Sequence, residues 1–437
     1  MSLKIGDKIK IKNGVESQII GEFGTGGQGT VYKVKYQGKD YALKWYHNNV
    51  FRDKWQDFYR NLENNISKGA PTKNFLWPLG ITEYQLGSFG YLMNIRPGGY
   101  SELTEFFVGT KKKPQVHFAS FTAISNAAIN IIQAFRVLHN NGYTYQDINN
   151  GNFFINPLNG DVLICDNDNV SPFGKNLGIM GKQRWMAPEV VTGGDPDKLS
   201  DRFSLSVVLF RLLFINHPLE GKYSTPPCMT KDLERKYYGT DPIFIMDPND
   251  TRNRPVPGTA QNLKLFWPVY PKYIKEMFVK AFSQEVMLDR SKRIIEKEWL
   301  DLFFRLRAET GSCPFCKKEM FWDTTSDNVT CFECNKPVST KSRLRLSKFS
   351  LPIYDGLKVH KWLIDSSSED IETVIAEVIH NPKEPQLLGL SNISSYTWKV
   401  NLPDDTQRPL VPGKILPVKN QLGIDFLGNN YISTVEL

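Results

Sequence analysis

The chain has 437 residues, 41% of them hydrophobic and 12% aromatic, a composition typical of globular proteins and not of disordered ones. Its length is too great for one hydrophobic core and predicts roughly two to four domains. The net charge of +8 comes without a dense basic run, so we expect a solvated surface and no nucleic-acid partner.

Membrane and secretion signals are also lacking. No apolar run reaches about 18 residues, and the first residues lack the apolar stretch of a signal peptide, so neither a transmembrane helix nor secretion is expected. Four of the six cysteines form two close pairs, which favours a reducing compartment and a metal site over a disulfide framework. We therefore expect a cytoplasmic protein that does not bind membranes.

A glycine-rich β-hairpin is the first predicted element, between Ile19 and Tyr36. Alternating apolar residues predict its strands, while Gly24, Gly26 and Gly29 let the turn approach phosphate groups and offer them backbone N–H groups. The pattern Gly-x-Gly-x-x-Gly is weak evidence by itself, because such a hairpin also occurs without a ligand.

Lys44 ends the apolar strand Tyr41–Lys44, thirteen residues after Val31. A lysine at a strand end is commonly a surface residue, but after a phosphate-binding loop it predicts the cation that contacts the α- and β-phosphates. That cation needs a carboxylate to orient it. Glu63, on the predicted helix Phe51–Ile66, is the best candidate, and a solvated helix residue is the alternative interpretation.

The segment with the most chemical information begins at Asp147. Asn152 follows five residues later, and Asp166 lies fourteen residues beyond Asn152, after a predicted hairpin. Phosphoryl transfer needs one carboxylate to accept a hydroxyl proton, and an amide oxygen and a second carboxylate to hold Mg²⁺. The sequence assigns Asp147 to the first task and Asn152 and Asp166 to the second.

In this order, the motifs resemble those of the protein kinase family over about 290 residues. The resemblance implies a bilobal α+β protein-kinase-like fold at residues 1–308, with the small lobe ending near residue 94 and the large lobe spanning about 95–308. It places these further residues around ATP: Val31, Ala42, the gatekeeper Met93, and the hinge residues Asn94 and Ile95.

The same resemblance implies two more assignments. Glu189 ends an Ala-Pro-Glu motif and is expected to pair with Arg293, with Arg290 as the alternative. Asp166 corresponds to the family's metal-binding aspartate, and Asp168 is the alternative because the motif reads Asp-Asn-Asp here.

The chain departs from the family pattern at Tyr145 and Gln146, which stand where a histidine and an arginine are usual. That arginine usually receives the phosphate of a modified activation loop, and between Asp166 and Ala187 the only hydroxyl residue is Ser171. We therefore expect no regulation by activation-loop phosphorylation.

A second departure is Asn149, which replaces the lysine usually found two residues after the catalytic aspartate. That lysine stabilises charge on the transferred phosphoryl group, so its loss favours an inactive pseudokinase. Lys182 stands where a threonine is usual in Ser/Thr kinases. Our hypothesis is that Lys182 supplies the missing cation, and the alternative is an exposed loop lysine.

Two Cys-x-x-Cys motifs, fourteen residues apart, follow at residues 313–316 and 331–334. This spacing places four thiolates around one tetrahedral Zn²⁺ and leaves no ligand position open for catalysis. We predict a zinc ribbon at residues 309–340 whose ion supplies folding energy. Its ligands are Cys313, Cys316, Cys331 and Cys334.

Residues 345–437 are predicted to form a β-rich domain. Three segments have strand patterns separated by turn residues: Tyr396–Val400, Gly413–Val418 and Ile424–Leu427. Glu369–Ile379 fits a helix or a strand, and its β-branched run favours the strand. Residues 389–426 resemble the latter half of forkhead-associated (FHA) β-sandwiches, although the residues with which that family binds phosphothreonine are not evident.

The whole arrangement is similar to bacterial kinases associated with tellurite-resistance (Ter) systems, and this likeness covers nearly the whole chain. The segments that carry it include Gly26–Gly29, Ala42–Tyr46, Phe75–Pro78 and Asp166–Val170. It implies a signalling or stress-response role and two partners, a von Willebrand A-type protein and a metal-dependent phosphatase.

Two functions remain open. The first is an ATP- and Mg²⁺-dependent protein kinase acting on serine or threonine, which the complete set of nucleotide and metal residues favours. The second is a pseudokinase, a nucleotide-binding adaptor that recruits partners through its zinc ribbon and β-rich tail.

Overall fold

The computed structural model describes residues 2–48, 50–51, 54–111, 113–258, 260–367 and 370–437. These residues form two units. The first contains Met1–His117, Asn130–Leu263 and Phe278–Ile294, and the second contains Phe118–Ile129, Lys264–Met277 and Ile295–Leu437. The domain boundaries that the sequence suggests near residues 308, 340 and 345 stay predictions.

The first unit begins with a six-stranded antiparallel sheet in the order β1-β2-β3-β4-β6-β5. Its strands are β1 Lys8–Lys10, β2 Glu16–Thr25, β3 Gly29–Tyr36, β4 Lys39–Tyr46, β5 Gly80–Ile81 and β6 Gly90–Met93. Strands β2 and β3 form the predicted glycine-rich hairpin, and Val31 on β3 lies opposite Lys44 on β4. The sheet therefore brings the glycine-rich turn, the predicted phosphate-binding loop, and the predicted cation side by side.

Helix α1 spans Trp55–Lys68, two to four residues later than the sequence indicated, and residues 52 and 53 of the predicted range lie outside the described residues. Its buried positions repeat with helical spacing: Phe58, Asn61, Leu62 and Asn65. The helix ends at Gly69, whose φ of 77° suits glycine and whose N–H donates to the carbonyls of Asn65 and Ile66.

Short strands and helices follow along the chain, and the helices that begin at Phe121, Gln261 and Lys272 each contain residues of both units. The strands are β7 Ser101–Glu102, β8 Tyr143–Thr144, β9 Phe153–Ile155, β10 Val162–Ile164 and β11 Ser171–Pro172. The helices are α2 Leu103–Phe107, α3 Phe121–Asn140, α4 Pro188–Val191, α5 Lys198–Phe214, α6 Lys231–Arg235, α7 Gln261–Phe266, α8 Lys272–Ala281 and α9 Gln284–Leu288. Helix α5, capped by Asp197, is buried over most of its length, as its apolar run predicts.

Helix α3 is long and apolar enough to cross a membrane by length and composition alone, although no such segment was expected from the sequence. In its most apolar window, 61% of the residues are buried within the protein. A core helix of this length passes the same test, so the observation is weak evidence for a membrane span.

The second unit contains α10 Glu296–Ala308, two small hairpins and two larger sheets. The hairpin strands are β12 Thr310–Ser312, β13 Glu319–Phe321, β14 Asn328–Thr330 and β15 Pro337–Ser339. The remaining elements are β16 Arg343–Arg345, β17 Ser350–Pro352, β18 Lys358–His360, α11 Lys361–Ile364, β19 Val374–His380, β20 Leu388–Asn392, β21 Trp398–Asn401, β22 Gln407–Leu410, β23 Ile415–Pro417, β24 Gly423–Asp425 and β25 Ile432–Glu436.

These C-terminal strands form a six-stranded sheet, β17-β16-β25-β24-β21-β22, and a four-stranded sheet, β18-β19-β20-β23. Both sheets contribute to one buried cluster, with Leu344 and Trp398 from the first and Ile375 and Leu390 from the second. The C-terminal region is therefore rich in β-sheet, as the sequence predicts, while the likeness to FHA sandwiches stays a prediction. Strand β19 also confirms the strand interpretation of that segment, whose first predicted residue, Glu369, lies outside the described residues.

Candidate active site

The glycine-rich turn lies directly against the strand that carries Lys44. A Cβ atom at Gly29 would come within 2.3 Å of the carbonyl oxygen of Trp45, so no larger residue fits this approach. Across the turn, the Gly26 N–H donates to the Gly29 carbonyl at 2.8 Å. A Cβ at Gly24 would meet nothing within 4 Å, and a Cβ at Gly26 would meet the Gly29 carbonyl oxygen at 3.8 Å, an ordinary contact distance.

The predicted hinge begins where strand β6 ends at Met93. Met93 pairs with Ala42 on β4, and Tyr91, two residues earlier, pairs with Lys44. Asn94 and Ile95 follow immediately after the strand. The residues predicted to surround the nucleotide base therefore lie beside the strand that carries Lys44, the predicted phosphate-binding lysine.

Lys44 is only 5% exposed, and its ammonium group contacts two carboxylates. Its Nζ lies 2.9 and 3.1 Å from the two oxygens of Asp168 and 3.2 Å from Oδ1 of Asp166. Burial alone would lower the pKa of Lys44, but the two negative charges reverse the effect and raise it above its ordinary value. Lys44 is therefore a fixed positive charge in the cleft.

The Asp168 side chain is completely buried, and tyrosines as well as Lys44 donate to it. The Tyr46 hydroxyl lies 2.5 Å from Oδ2 and the Tyr91 hydroxyl 3.3 Å from Oδ1. Burial and this carboxylate raise the pKa of both phenols well above the usual value, so both remain hydrogen-bond donors. The sequence could have suggested Tyr46, because it lies two residues from Lys44 on the same face of β4.

Glu63 is not brought to Lys44, in contrast to the prediction from sequence. It forms an ion pair with Lys12 instead. The physical reason is its place on α1, since position 63 falls outside the buried stripe of that helix. Within the stripe, the amides of Asn61 and Asn65 donate to the carbonyl of Val170 at 2.7 and 2.8 Å.

Asp147 is enclosed by asparagine amides. Asn149 Nδ2 donates to Asp147 Oδ1 at 3.0 Å, and Asn169 Nδ2 lies 3.4 Å from Asp147 Oδ2. Burial raises the pKa of the Asp147 carboxyl to about 6, and the charges of Asp166 and Asp168 add to that effect. Hydrogen bonds from Asn149 and Asn152 oppose it. A carboxylate with a raised pKa is a better proton acceptor, as a general base requires.

Asn152 and Asp166 are adjacent because the β9–β10 hairpin joins the segments that carry them. Phe153 pairs with Ile164, and the next N–H along, that of Cys165, donates to the Asn152 carbonyl at 2.8 Å. Asn152 Nδ2 donates to the backbone oxygen of Asp147, which leaves Oδ1 as its acceptor atom. The Asp166 side chain is 46% exposed. An accessible carboxylate and an amide oxygen are hard ligands of the kind that Mg²⁺ prefers, so these residues fit the ion.

The segment between Asp166 and Ala187, the predicted activation loop and called the activation segment from here on, is held near its start by Gln146. The Gln146 amide nitrogen lies 3.0 Å from Ser171 Oγ and 2.8 Å from the Lys175 carbonyl. Ser171 is fully buried. Further along, Lys182 Nζ donates to Asn150 Oδ1 at 2.9 Å, and a Cβ at Gly181 would lie 3.9 Å from Asp147 Oδ1. Lys182 therefore contacts the loop that carries Asp147, through Asn150 and not through Asp147 itself.

The end of the segment is anchored by Glu189, as the sequence suggested. Arg293 Nη1 and Nη2 contact the two oxygens of Glu189 at 2.7 and 2.5 Å, a bidentate ion pair. The alternative partner, Arg290, pairs with Asp197 instead. The prediction of a Glu189–Arg293 pair is confirmed.

In the second unit, all four sulfur atoms of Cys313, Cys316, Cys331 and Cys334 lie within 4.8 Å of one another. The Cys313–Cys334 and Cys316–Cys331 sulfur distances are both 3.8 Å. A tetrahedral ion with Zn–S bonds of about 2.3 Å needs neighbouring sulfurs about 3.8 Å apart. The four thiols therefore fit structural zinc.

Comparison with known proteins agrees with this geometry. A family model for the protein kinase domain matches residues 17–240. The probable serine/threonine-protein kinase kinX of Dictyostelium discoideum is 28% identical over 208 residues, 44% of this chain and 18% of that protein. Serine/threonine-protein kinase STY46 of Arabidopsis thaliana is 29% identical over 132 residues, 28% of this chain and 22% of that protein. The chain thus spans about a fifth of the length of these two relatives.

Among solved structures, the PknI kinase domain of Mycobacterium tuberculosis is 15% identical, with a TM-score of 0.45, covering 69% of this chain and 98% of that one. The family model, by contrast, covers just over half of the 437 residues. On that match, the chain belongs to the protein kinase family.

Proposed function

We propose that this protein is an ATP- and Mg²⁺-dependent protein kinase that phosphorylates serine or threonine. The observation that carries the proposal is the convergence of Lys44, Asp147, Asn152 and Asp166 in the first unit, beside the glycine-rich turn. Lys44 contacts the phosphates, and Asp147 takes the proton of the acceptor hydroxyl. Mg²⁺, held by Asn152 and Asp166, would neutralise negative charge on the phosphates.

The serine/threonine acceptor is supported by the two relatives described above, which are named as a probable serine/threonine-protein kinase and a serine/threonine-protein kinase. The resemblance to Ter-system kinases supports a role in bacterial signalling, with a von Willebrand A-type protein and a phosphatase as partners. The FHA-like tail rests on the separate resemblance of residues 389–426, and the cytoplasmic location on the cysteine usage and the lack of membrane and secretion signals.

Incubation with Mg²⁺ and ATP labelled at the γ-phosphate, with casein as a generic acceptor, tests the proposal. We expect label on casein or on the protein itself, on serine or threonine, and none after Mg²⁺ is removed with EDTA. An Asp147→Ala sample serves as the control. Nucleotide binding without any transfer would support the adaptor function instead.

The hydrogen bonds from the uncharged Gln146 amide support the proposal that the kinase is active without phosphorylation of its activation segment. An arginine at this position would hold the segment only once a phosphate is present, whereas the Gln146 amide already donates to Ser171 and Lys175. Ser171 is also too buried to reach another kinase.

Phosphatase treatment should therefore leave turnover within about twofold of the untreated protein, because hydrogen bonds already hold the segment. Gln146→Ala, which removes those bonds, should lower turnover about tenfold. Turnover is measured before and after treatment, with mass spectrometry to confirm that no phosphate remains. Loss of activity on dephosphorylation, with a phosphate mapped to Ser171, would contradict this expectation.

We also propose that Lys182 supplies the positive charge that Asn149 lacks. The segment that carries Lys182 passes close to Asp147 at Gly181, and the ammonium group rests on Asn150, three residues from Asp147. The Lys182 side chain is exposed, so its ammonium group can turn toward a bound phosphate.

Lys182→Ala should lower kcat by about tenfold or more, with the KM for ATP near the wild-type value, because the contact forms in the transition state. Lys175→Ala, an exposed lysine of the same segment, is the matched control and should turn over normally. An unchanged kcat for Lys182→Ala would leave Lys182 as an ordinary loop residue.

A further inference from the structure

We propose that Asp168, together with Tyr46 and Tyr91, positions Lys44 for the nucleotide, in place of a carboxylate on helix α1. The inference rests on the proposed kinase function and adds a positioning residue to it. It also separates the tasks of the two aspartates in the Asp166-Asn167-Asp168 motif.

The separation follows from exposure. Asp166 has a side chain that is 46% exposed, whereas the Asp168 side chain is 0% exposed. A metal ion bound to nucleotide phosphates must reach its ligands from the open cleft, so Asp166 suits that task. Both oxygens of Asp168 already receive hydrogen bonds, from Lys44 and from the two tyrosines. Asp168 is therefore assigned as a hydrogen-bond partner of protein groups and not as a ligand of the metal ion.

Helix α1 offers no carboxylate for the same task. All residues of this helix are described, and its buried face consists of Phe58, Asn61, Leu62 and Asn65. The two asparagine amides are used on the Val170 carbonyl, and Glu63 is paired with Lys12. The group that orients Lys44 must then come from another element, and Asp168 is in direct contact with it.

The segment that carries Asp168 is itself fixed. The Asn167 side chain is fully buried, and its amide donates to the carbonyls of Leu76 and Ile164, each at 2.9 Å. A buried carboxylate is unfavourable unless it is paired and hydrogen-bonded, and Asp168 meets both conditions through Lys44 and the tyrosines. The Lys44–Asp168 pair is thus part of the folded state before any ligand arrives.

A division of contacts follows for the bound state. Lys44 carries three N–H donors, and in this structure they reach both Asp166 and Asp168. If Asp166 held the metal ion, Lys44 would keep its contact with Asp168 and would have a donor free for phosphate. Its orientation then does not depend on the position of α1, so movement of this helix would not switch the lysine off.

The test compares Asp168→Asn, Glu63→Gln and Asp57→Asn, three exchanges of a carboxylate for an amide, by ATP dissociation constant and by turnover. Asp57 is an exposed α1 residue and controls for loss of a charge. We expect Asp168→Asn to raise the ATP dissociation constant and to lower turnover, each by about tenfold or more. Glu63→Gln and Asp57→Asn should keep both quantities near the wild-type values. Loss of ATP binding in Glu63→Gln with normal binding in Asp168→Asn would overturn the proposal.

A double-mutant cycle with Lys44→Met separates positioning from a merely structural role. If Asp168 acts through Lys44, Asp168→Asn should change ATP affinity by less than about twofold once Lys44 is methionine. Additive losses of ATP affinity in the double mutant would overturn the proposal.

Should the Asp168→Asn protein fail to fold, Tyr46→Phe provides a second test, because it keeps the Lys44–Asp168 ion pair. Tyr46→Phe should weaken ATP binding about threefold, and unchanged ATP binding would count against the proposed role of Tyr46. If the wild type binds ATP without transferring phosphate, the kinase proposal fails while these affinities still decide the role of Asp168.

Discussion

Replacing Asp147 with asparagine should lower kcat by about three orders of magnitude while ATP binding stays within a fewfold of wild type. The change keeps the size of the side chain but removes the oxygen that accepts the acceptor proton. The groups assigned to the phosphates and metal, Lys44, Asn152 and Asp166, are untouched. The expected result is therefore a loss in kcat and not in affinity, measured by initial rates and by equilibrium binding of ATP.

Asp161→Asn provides the control for this experiment. Asp161 is an exposed aspartate in the turn of the β9–β10 hairpin. Asp161→Asn is therefore the same exchange of a carboxylate for an amide, made in the hairpin that follows the Asp147 loop. It should retain wild-type turnover. If Asp147→Asn also turned over normally, Asp147 would not be the proton acceptor, and the assignment of the catalytic loop would have to be abandoned.

The second large effect concerns the four-cysteine cluster. Removing the metal with a strong chelator, or by Cys331→Ser, should unfold the two hairpins β12–β13 and β14–β15. Their strands have three residues each, and among the described residues the fully buried members of the cluster around the sulfurs are Met320 and Val338 besides Cys313 and Cys331, with Trp322, Val329 and Phe332 partly buried against them. Little apolar surface supports these hairpins, so the ion must supply about 10 kcal/mol or more of their folding free energy.

Metal analysis of the purified protein gives the first readout, with one zinc expected per chain. Thermal unfolding gives the second, and the transition of the second unit should move to lower temperature without zinc. Cys228→Ser, an exposed cysteine outside the cluster, should keep both the zinc and the transition. A Cys331→Ser protein that still bound one zinc per chain would contradict the assignment of these ligands.

The parts of the site that the sequence predicted depend on short, local spacing. Asp147 and Asn152 lie in one loop, and a hairpin of few residues joins Asn152 to Asp166, so their proximity follows from chain geometry. The four cysteines are likewise grouped by two tight turns. The Glu189–Arg293 pair spans a longer separation, and it was predicted because two family motifs flank it.

The partner of Lys44 could not be predicted in the same way. The choice between Glu63 and Asp168 depends on how α1 is rotated, and that rotation is set by packing of Phe58 and Leu62 and by two asparagines on the Val170 carbonyl. Sequence periodicity located the helix but not its buried polar contacts. The exposure that distinguishes Asp166 from Asp168 is likewise a property of the folded chain.

The central claim is that this chain transfers the γ-phosphoryl group of ATP. The most direct test is to incubate it with Mg²⁺ and ATP labelled either at the α- or at the γ-phosphate, beside the Asp147→Asn protein. The account predicts protein-bound label from γ-labelled ATP only, and its loss in Asp147→Asn. Label from α-labelled ATP would mean transfer of AMP, and binding of ATP with no label in either sample would mean a non-catalytic adaptor; either result would contradict the account.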